Sequence, residues 1–170
     1  MRFIEECEVE EWCSERGVAL QPGEYRVAAD PRLPHQSRRT YASGGRSGRE
    51  ADVAADAVSA LGDWDECVLW VTLVGIWASG EDWPAYYALR GAEGERRSLE
   101  KAPGHWFGAD ERPKLRQFLT AVLENGWNAA VIPGRQGETT DVRLSISHDE
   151  WIALQSREPV DFRASAVYER

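Results

Sequence analysis

The sequence predicts an α+β fold: a mostly antiparallel sheet centred on a strand at 67–77, helices at about 49–61 and 111–125 packed on it, and an acidic N-terminal helix. Three observations carry that prediction. First, CVLWVTLVGIW, from Cys67 to Trp77, is the longest nearly unbroken apolar run in the chain. Both its even positions (Val68, Trp70, Thr72, Val74, Ile76) and its odd ones (Cys67, Leu69, Val71, Leu73, Gly75, Trp77) are predominantly apolar, so both faces should be buried, as in an interior strand. Its β-branched and aromatic content favours strand over the competing helix, and Gly75 marks a bulge or bend. The run falls well short of the roughly 20 apolar residues that span a bilayer. Second, Leu115, Phe118, Leu119, Val122 and Leu123 recur at helical spacing within Glu111–Asn125, and Asn125–Gly126 supplies a left-handed stop. Third, Val142, Leu144 and Ile146 alternate with Arg143, Ser145 and Ser147. That pattern reads as a strand with one wet face, in a hairpin with Trp127–Pro133.

The remaining elements follow in order. Residues 5–16, EECEVEEWCSER, form an acidic helix ending before Gly17, with Val9, Trp12 and Cys13 as a narrow apolar stripe. Pro22–Gly23 turns the chain between two short extended pieces. Residues 29–48, with Pro31, Pro34, Gly44, Gly45 and Gly48, read as a long flexible basic loop. Ser47-x-x-Glu50 is a capping box that opens a helix running to about Leu61, with Val53, Ala57, Val58 and Leu61 as its buried stripe. Asp63, Trp64 and Asp65 turn into the central strand. The stretch Glu81–Arg90 fits either a short helix with Pro84 in its first turn or a strand through Ala85–Arg90, and Tyr86–Tyr87 tips the reading to strand. APGHWFG at 102–108 reads as a Pro-Gly turn. Ser147-x-x-Glu150 starts a short helix or turn carrying Trp151, Ile152 and Leu154. The tail beyond Arg157 is polar, anchored by Val160 and Phe162.

A chain of 170 residues is sized for one domain and long enough to hold a core without metals or disulfides. Its net charge of −9 disfavours a general nucleic-acid or anionic-membrane binder and favours a basic partner. The charge is uneven: residues 32–49 hold Arg32, Arg38, Arg39, Arg46 and Arg49 and no acid. Lysines occur only at 101 and 114, and the excess of arginine fits coding bias without selection for guanidinium chemistry. Cys7, Cys13 and Cys67 show no paired spacing and read as reduced thiols of a cytoplasmic protein. On a helix Cys7 and Cys13 stand about 240° apart, so they neither bridge nor share a metal. MRFIEECEVEEW contains no apolar secretion-signal core.

Signatures of chemistry are sparse. His35, His105 and His148 stand in no zinc spacing, and His148-Asp149-Glu150 do not converge on one point; no metal and no cofactor is predicted. GGRSGRE lacks the Lys-Ser/Thr ending of a phosphate-binding loop. No nucleophile elbow is present, and Cys67 within the apolar strand is an inert thiol. The binding candidates are Arg38, Arg39, Arg46 and Arg49 as an anion cradle, and His105, Trp106, His148 and Asp149 as the rim of a cleft with acid–base capacity.

The segments GEDWPAYYALR, APGHWF, ENGWNAAVI and SISHDEW, spanning roughly 80–151, together resemble a pattern in small uncharacterised bacterial proteins. The small, acidic, tryptophan-rich character of the chain is similar to that of immunity proteins of toxin systems. That likeness implies a non-enzymatic bacterial interaction protein, of immunity or accessory type, that binds a partner protein through an acidic surface. An enzyme or small-ligand binder with a cleft near His105 and His148 is the alternative, followed by anion or nucleic-acid binding through the 32–49 arginines.

Overall fold

The computed structural model describes residues 1–41, 48–77, 79–135 and 137–162. In chain order its elements are β1 (Arg2–Ile4), α1 (Glu6–Glu15), β2 (His35–Thr40), α2 (Glu50–Ala60), β3 (Glu66–Leu73), α3 (Trp83–Ala92), β4 (Gly104–Gly108), a single 3₁₀ turn at Ala109–Glu111, α4 (Arg112–Asn125), β5 (Asn128–Gly134), β6 (Val142–Ser147) and β7 (Trp151–Ser156). The strands form one sheet in the order β1-β4-β3-β5-β6-β7-β2, and every neighbouring pair is antiparallel.

The apolar run is an interior strand buried on both faces. Cys67, Leu69 and Val71 of β3 pack with Val53 and Ala57 of α2 and Leu115, Phe118, Leu119 and Val122 of α4. Val68 and Trp70 join Ala130 and Ile132 of β5 in a second core, closed by Val9, Trp12 and Cys13 of α1. The sheet is therefore the middle layer, with α2, α3 and α4 on one side and α1 on the other. The strand is shorter than the run. Its register with β5 slips between Val71 and Leu73, Gly75 adopts φ +79°, and Trp77 ends 54% exposed.

α2 and α4 form as the periodicity predicts. Each stops at a glycine in the left-handed region, Gly62 (φ +66°) and Gly126 (φ +63°), where a side chain would be strained. Ser47 of the predicted capping box lies outside the described residues, and Arg49 stands at the N-cap of α2.

Five readings are corrected. Part of the 29–48 loop is strand β2, paired with β7 along its length. It is an edge strand, and HQSRRT is the polar, charged composition that blunts an edge. Ala85–Arg90 is helical: Asp82 caps α3 by accepting a bond from the Ala85 N–H at 2.9 Å, and Pro84 sits in the first turn. GHWFG is strand β4 and not a turn. Gly104 belongs there because a Cβ at this position would collide with the Ile4 and Val9 side chains. After Ser147 the turn alternative holds, over three residues, and what changes is that Trp151, Ile152 and Leu154 belong to strand β7. The predicted wet face of β6 is covered: Arg143 is 2% exposed and Ser147 fully buried. The segment before β2 lies over it, with Arg143 Nη2 donating to the Ala28 carbonyl and Tyr25 Oη 2.7 Å from Ser147 Oγ.

Candidate functional site

β4 sends alternate side chains to opposite faces of the sheet, and this separates His105 from Trp106. His105 points toward α3 and has no exposed surface. Its Nδ1 stands 3.1 Å from the Pro103 carbonyl, which only accepts, so Nδ1 carries the proton. Nε2 is then the acceptor, 2.9 Å from Tyr86 Oη and 3.1 Å from Arg90 Nη1. Burial first, and the Arg90 charge second, push the His105 pKa down to about 3. Arg90 is equally buried. It also donates to the Ala102 carbonyl at 3.1 Å, and its guanidinium lies 4.7 Å over the Phe3 ring. The trio Tyr86–His105–Arg90 ties α3 to β4. A neutral imidazole sealed beneath a helix fixes the packing of that helix and is closed to a substrate.

Trp106, on the other face, donates its Nε1–H to Glu66 at 3.1 Å and lies under the Arg2 guanidinium. His148 and Asp149 form the tip of the β6–β7 hairpin. His148 Nδ1 is 2.9 Å from Oδ1 of the buried Asn128, and Nε2 is 3.5 Å from Asp149. Strands β3 and β5 lie between β4 and β6, so the two histidines do not flank one cleft.

Two of the four candidate arginines, Arg38 and Arg39, are neighbours on a strand and are turned apart. Arg38 stacks over Trp151 at 4.3 Å, and Arg39 donates to the Phe162 carbonyl at 3.1 Å. Arg49 is at the start of α2, and Arg46 lies outside the described residues.

Stacking of guanidinium on indole recurs across the molecule and is not legible from arginine content alone. Besides Arg38 on Trp151, Arg16 lies over Trp12 at 4.1 Å, Arg26 over Trp70 at 5.2 Å and Arg112 over Trp64 at 4.7 Å. A planar, weakly hydrated cation covers the rim of an indole while keeping contact with water. Only Trp12–Arg16, one helical turn apart, was visible as a local pair.

α1 presents the acidic surface. With Val9, Trp12 and Cys13 buried, Glu8, Glu11 and Glu15 form an exposed row at spacings of three and four. Within the row, Glu8 accepts the Glu5 N–H at 2.8 Å and Glu15 pairs with Arg16 at 3.3 Å, and the flank of the helix carries further internal ion pairs. Arg26 bridges Glu6 and Glu10, and Arg97 reaches Glu5 at 3.5 Å. Burial raises the Cys13 thiol to about 12 and raises Cys67 as well, so neither is a nucleophile at neutral pH. Cys7 is exposed.

Among the described residues, one cleft of about 250 Å³ lies between the end of α2 and the β5–β6 turn, lined by Leu61, Trp64, Pro133, Arg135, Asp141 and Arg157. Two others adjoin α1 and share Glu6, Arg26 and Glu100 as a common wall. Among the described residues no three histidine, cysteine or carboxylate side chains gather as a metal set, and no helix is long and apolar enough to cross a membrane. The chain matches no protein-family model, no curated protein and no solved structure.

Proposed function

We propose that this chain is a non-enzymatic binding protein, of immunity or accessory type in a bacterial cytoplasm, which docks a basic partner protein through the α1 side of the sheet. The observation that carries the reading is the exposed row Glu8, Glu11 and Glu15 on a helix whose opposite stripe is locked into the second core. A rigid helix holds its carboxylates in a fixed array without a further entropic cost on binding. Opposed charge then accelerates encounter and selects against acidic competitors.

The test is capture from the native host with the tagged protein, followed by a titration of the recovered partner. A stoichiometric basic partner is expected. Its affinity should fall by about tenfold or more in the triple variant Glu8→Lys, Glu11→Lys, Glu15→Lys, and should weaken as salt is raised. Absence of a stoichiometric partner, or a triple variant that binds as well as wild type, overturns the reading.

A further inference from the structure

β2 leaves one side of its backbone open. It stands at the end of the sheet, with no strand beyond it among the described residues, and pairs with β7 over all of His35–Thr40 without a register shift. The ladder continues through a bond from the Tyr41 N–H to the Glu150 carbonyl at 2.9 Å, so the main chain of Tyr41 faces β7. Facing alternates along an antiparallel pair. His35, Ser37 and Arg39 therefore also face β7, and Gln36, Arg38 and Thr40 turn their N–H and C=O groups outward. Among the described residues no backbone group bonds this outer row. A side chain reaches it: Arg39 Nη1 donates to the Arg38 carbonyl at 3.2 Å.

The side chains of the strand carry positive charge without a counter-charge. None of the six is acidic. Arg38 lies over the Trp151 ring, and Arg39 donates to the Phe162 and Arg38 carbonyls. Those partners are neutral, and neither arginine forms an ion pair among the described residues. Stacking holds the plane of the Arg38 guanidinium and leaves its N–H donors, which point along that plane, free to fork a carboxylate.

We propose that the outer edge of β2 receives an extended acidic segment of a partner protein, added as a further strand. Two successive carboxylates of the segment meet Arg38 on one face of the sheet and Arg39 on the other. Main-chain bonds to Gln36, Arg38 and Thr40 supply affinity, and opposite charges paired across the strands supply selectivity. An incoming N–H takes the place of Arg39 Nη1 on the Arg38 carbonyl, and the guanidinium so released turns to the carboxylate. Charge decides against the other occupants. A second copy of β2 sets Arg38 and Arg39 against their own equivalents, and like charges across a ladder are destabilising. A nucleic-acid strand brings no main-chain row in register, and a chain of net charge −9 repels a long polyanion. A short acidic segment instead meets the two cations at contact distance, inside the screening length of about 8 Å at physiological salt. The inference goes beyond docking through α1 and does not rest on it.

An amide-resolved NMR titration of the ¹⁵N-labelled full chain with acetyl-Thr-Val-Glu-Glu-Val-Thr-amide decides the matter. The comparison ligands are the same peptide with lysine at both glutamate positions, two forms N-methylated at one or the other set of alternate residues, and hexathymidylate. Saturable shifts at the Gln36, Arg38 and Thr40 amides are expected with the acidic peptide, weakening as salt is raised. One N-methylated form should lose binding and the other keep it, because a strand turns alternate N–H groups to its neighbour. Affinity should fall about tenfold in the double variant Arg38→Gln, Arg39→Gln and recover in part in Arg38→Lys, Arg39→Lys, with circular dichroism checking that both are folded. No shift at millimolar acidic peptide, equal binding of the lysine peptide, or an unchanged glutamine variant each overturn the inference. Binding of both N-methylated forms, or an equal response of the same amides to hexathymidylate, overturns it too, because either shows an anion site without strand addition. A dimer in solution whose 35–40 amides are protected from exchange gives the edge to a second copy and also overturns it.

Discussion

His105 couples the fold to pH through a sign that follows from its burial. In the folded protein its pKa lies near 3, against an ordinary value of 6.5. Between those values the unfolded chain holds a proton that the folded chain lacks. Stability is therefore undiminished by this group above pH 6.5 and falls as pH drops toward 3, by up to about 1.4 kcal/mol per pH unit. Urea unfolding at pH 7, 5.5 and 4.5 should show that slope. His105→Leu should be less stable at pH 7, because Tyr86 and Arg90 lose their acceptor, yet flatter in pH. Equal slopes for the two proteins would mean that His105 takes up a proton in the native state. A second residue carries local strain. Glu150 is the sole non-glycine with positive φ among the described residues, at +61°. It closes the three-residue β6–β7 turn at the position where glycine is favoured, with its N–H on the Ser147 carbonyl and its own carbonyl on the Tyr41 N–H. A left-handed conformation costs a side chain about 1–2 kcal/mol, partly offset by the entropy lost on ordering glycine. Glu150→Gly should accordingly raise the stability by about 0.5–1 kcal/mol, seen as a higher urea midpoint with an unchanged m-value.

Individual elements show why some of the fold was readable and some was not. α3 rests on one cap. Asp82→Ala should destabilise the protein by about 1 kcal/mol, and Asp82→Asn should restore most of it, as measured by chemical unfolding. The local sequence favours strand here because adjacent tyrosines suit a pleated surface. What decides for helix is that Tyr86 and Arg90, four apart, both turn inward to His105, a demand set by β4 and invisible locally. α1, α2 and α4 were legible because each carries its own periodic stripe and needs no distant partner to define it. β2 was not, since an edge strand with charged residues on both faces has no hydrophobic alternation to detect. β4 was masked by its leading Pro103–Gly104, a turn signal overridden by close packing against Ile4 and Val9. Arg143 misled for the same reason in reverse: alternation marked it as outward, and a segment more than a hundred residues earlier covers it. The candidate surfaces divide along that line. The glutamate row of α1 was legible from spacing. The outer edge of β2 was not, because its pairing with β7 decides which main-chain groups face outward.

At the scale of the molecule, the two cores share their strands. β3 gives Cys67, Leu69 and Val71 to one core and Val68 and Trp70 to the other, and β5 likewise divides Ala129 and Val131 from Ala130 and Ile132. A strand cannot keep one face packed while the other is released, because the same backbone and register hold both sets of side chains. The α1 layer should therefore unfold together with the α2–α4 layer and not as a separate unit. Trp12 tests this. It is 7% exposed in the second core, and Arg16 lies on its ring while pairing with Glu66 of β3. Trp12→Ala removes a large buried ring and should destabilise the protein by about 3–5 kcal/mol. If the cores are coupled, tryptophan fluorescence and far-ultraviolet circular dichroism will still give coincident transitions at a lower denaturant midpoint. Hydrogen exchange of α4 amides, which never touch Trp12, will accelerate by the same free energy in so far as they open only globally. An early fluorescence transition with α4 protection retained would show instead that α1 is a detachable cover. In that case the acidic row would be carried by a mobile element, and the fixed charge array behind the docking proposal would lose its physical basis.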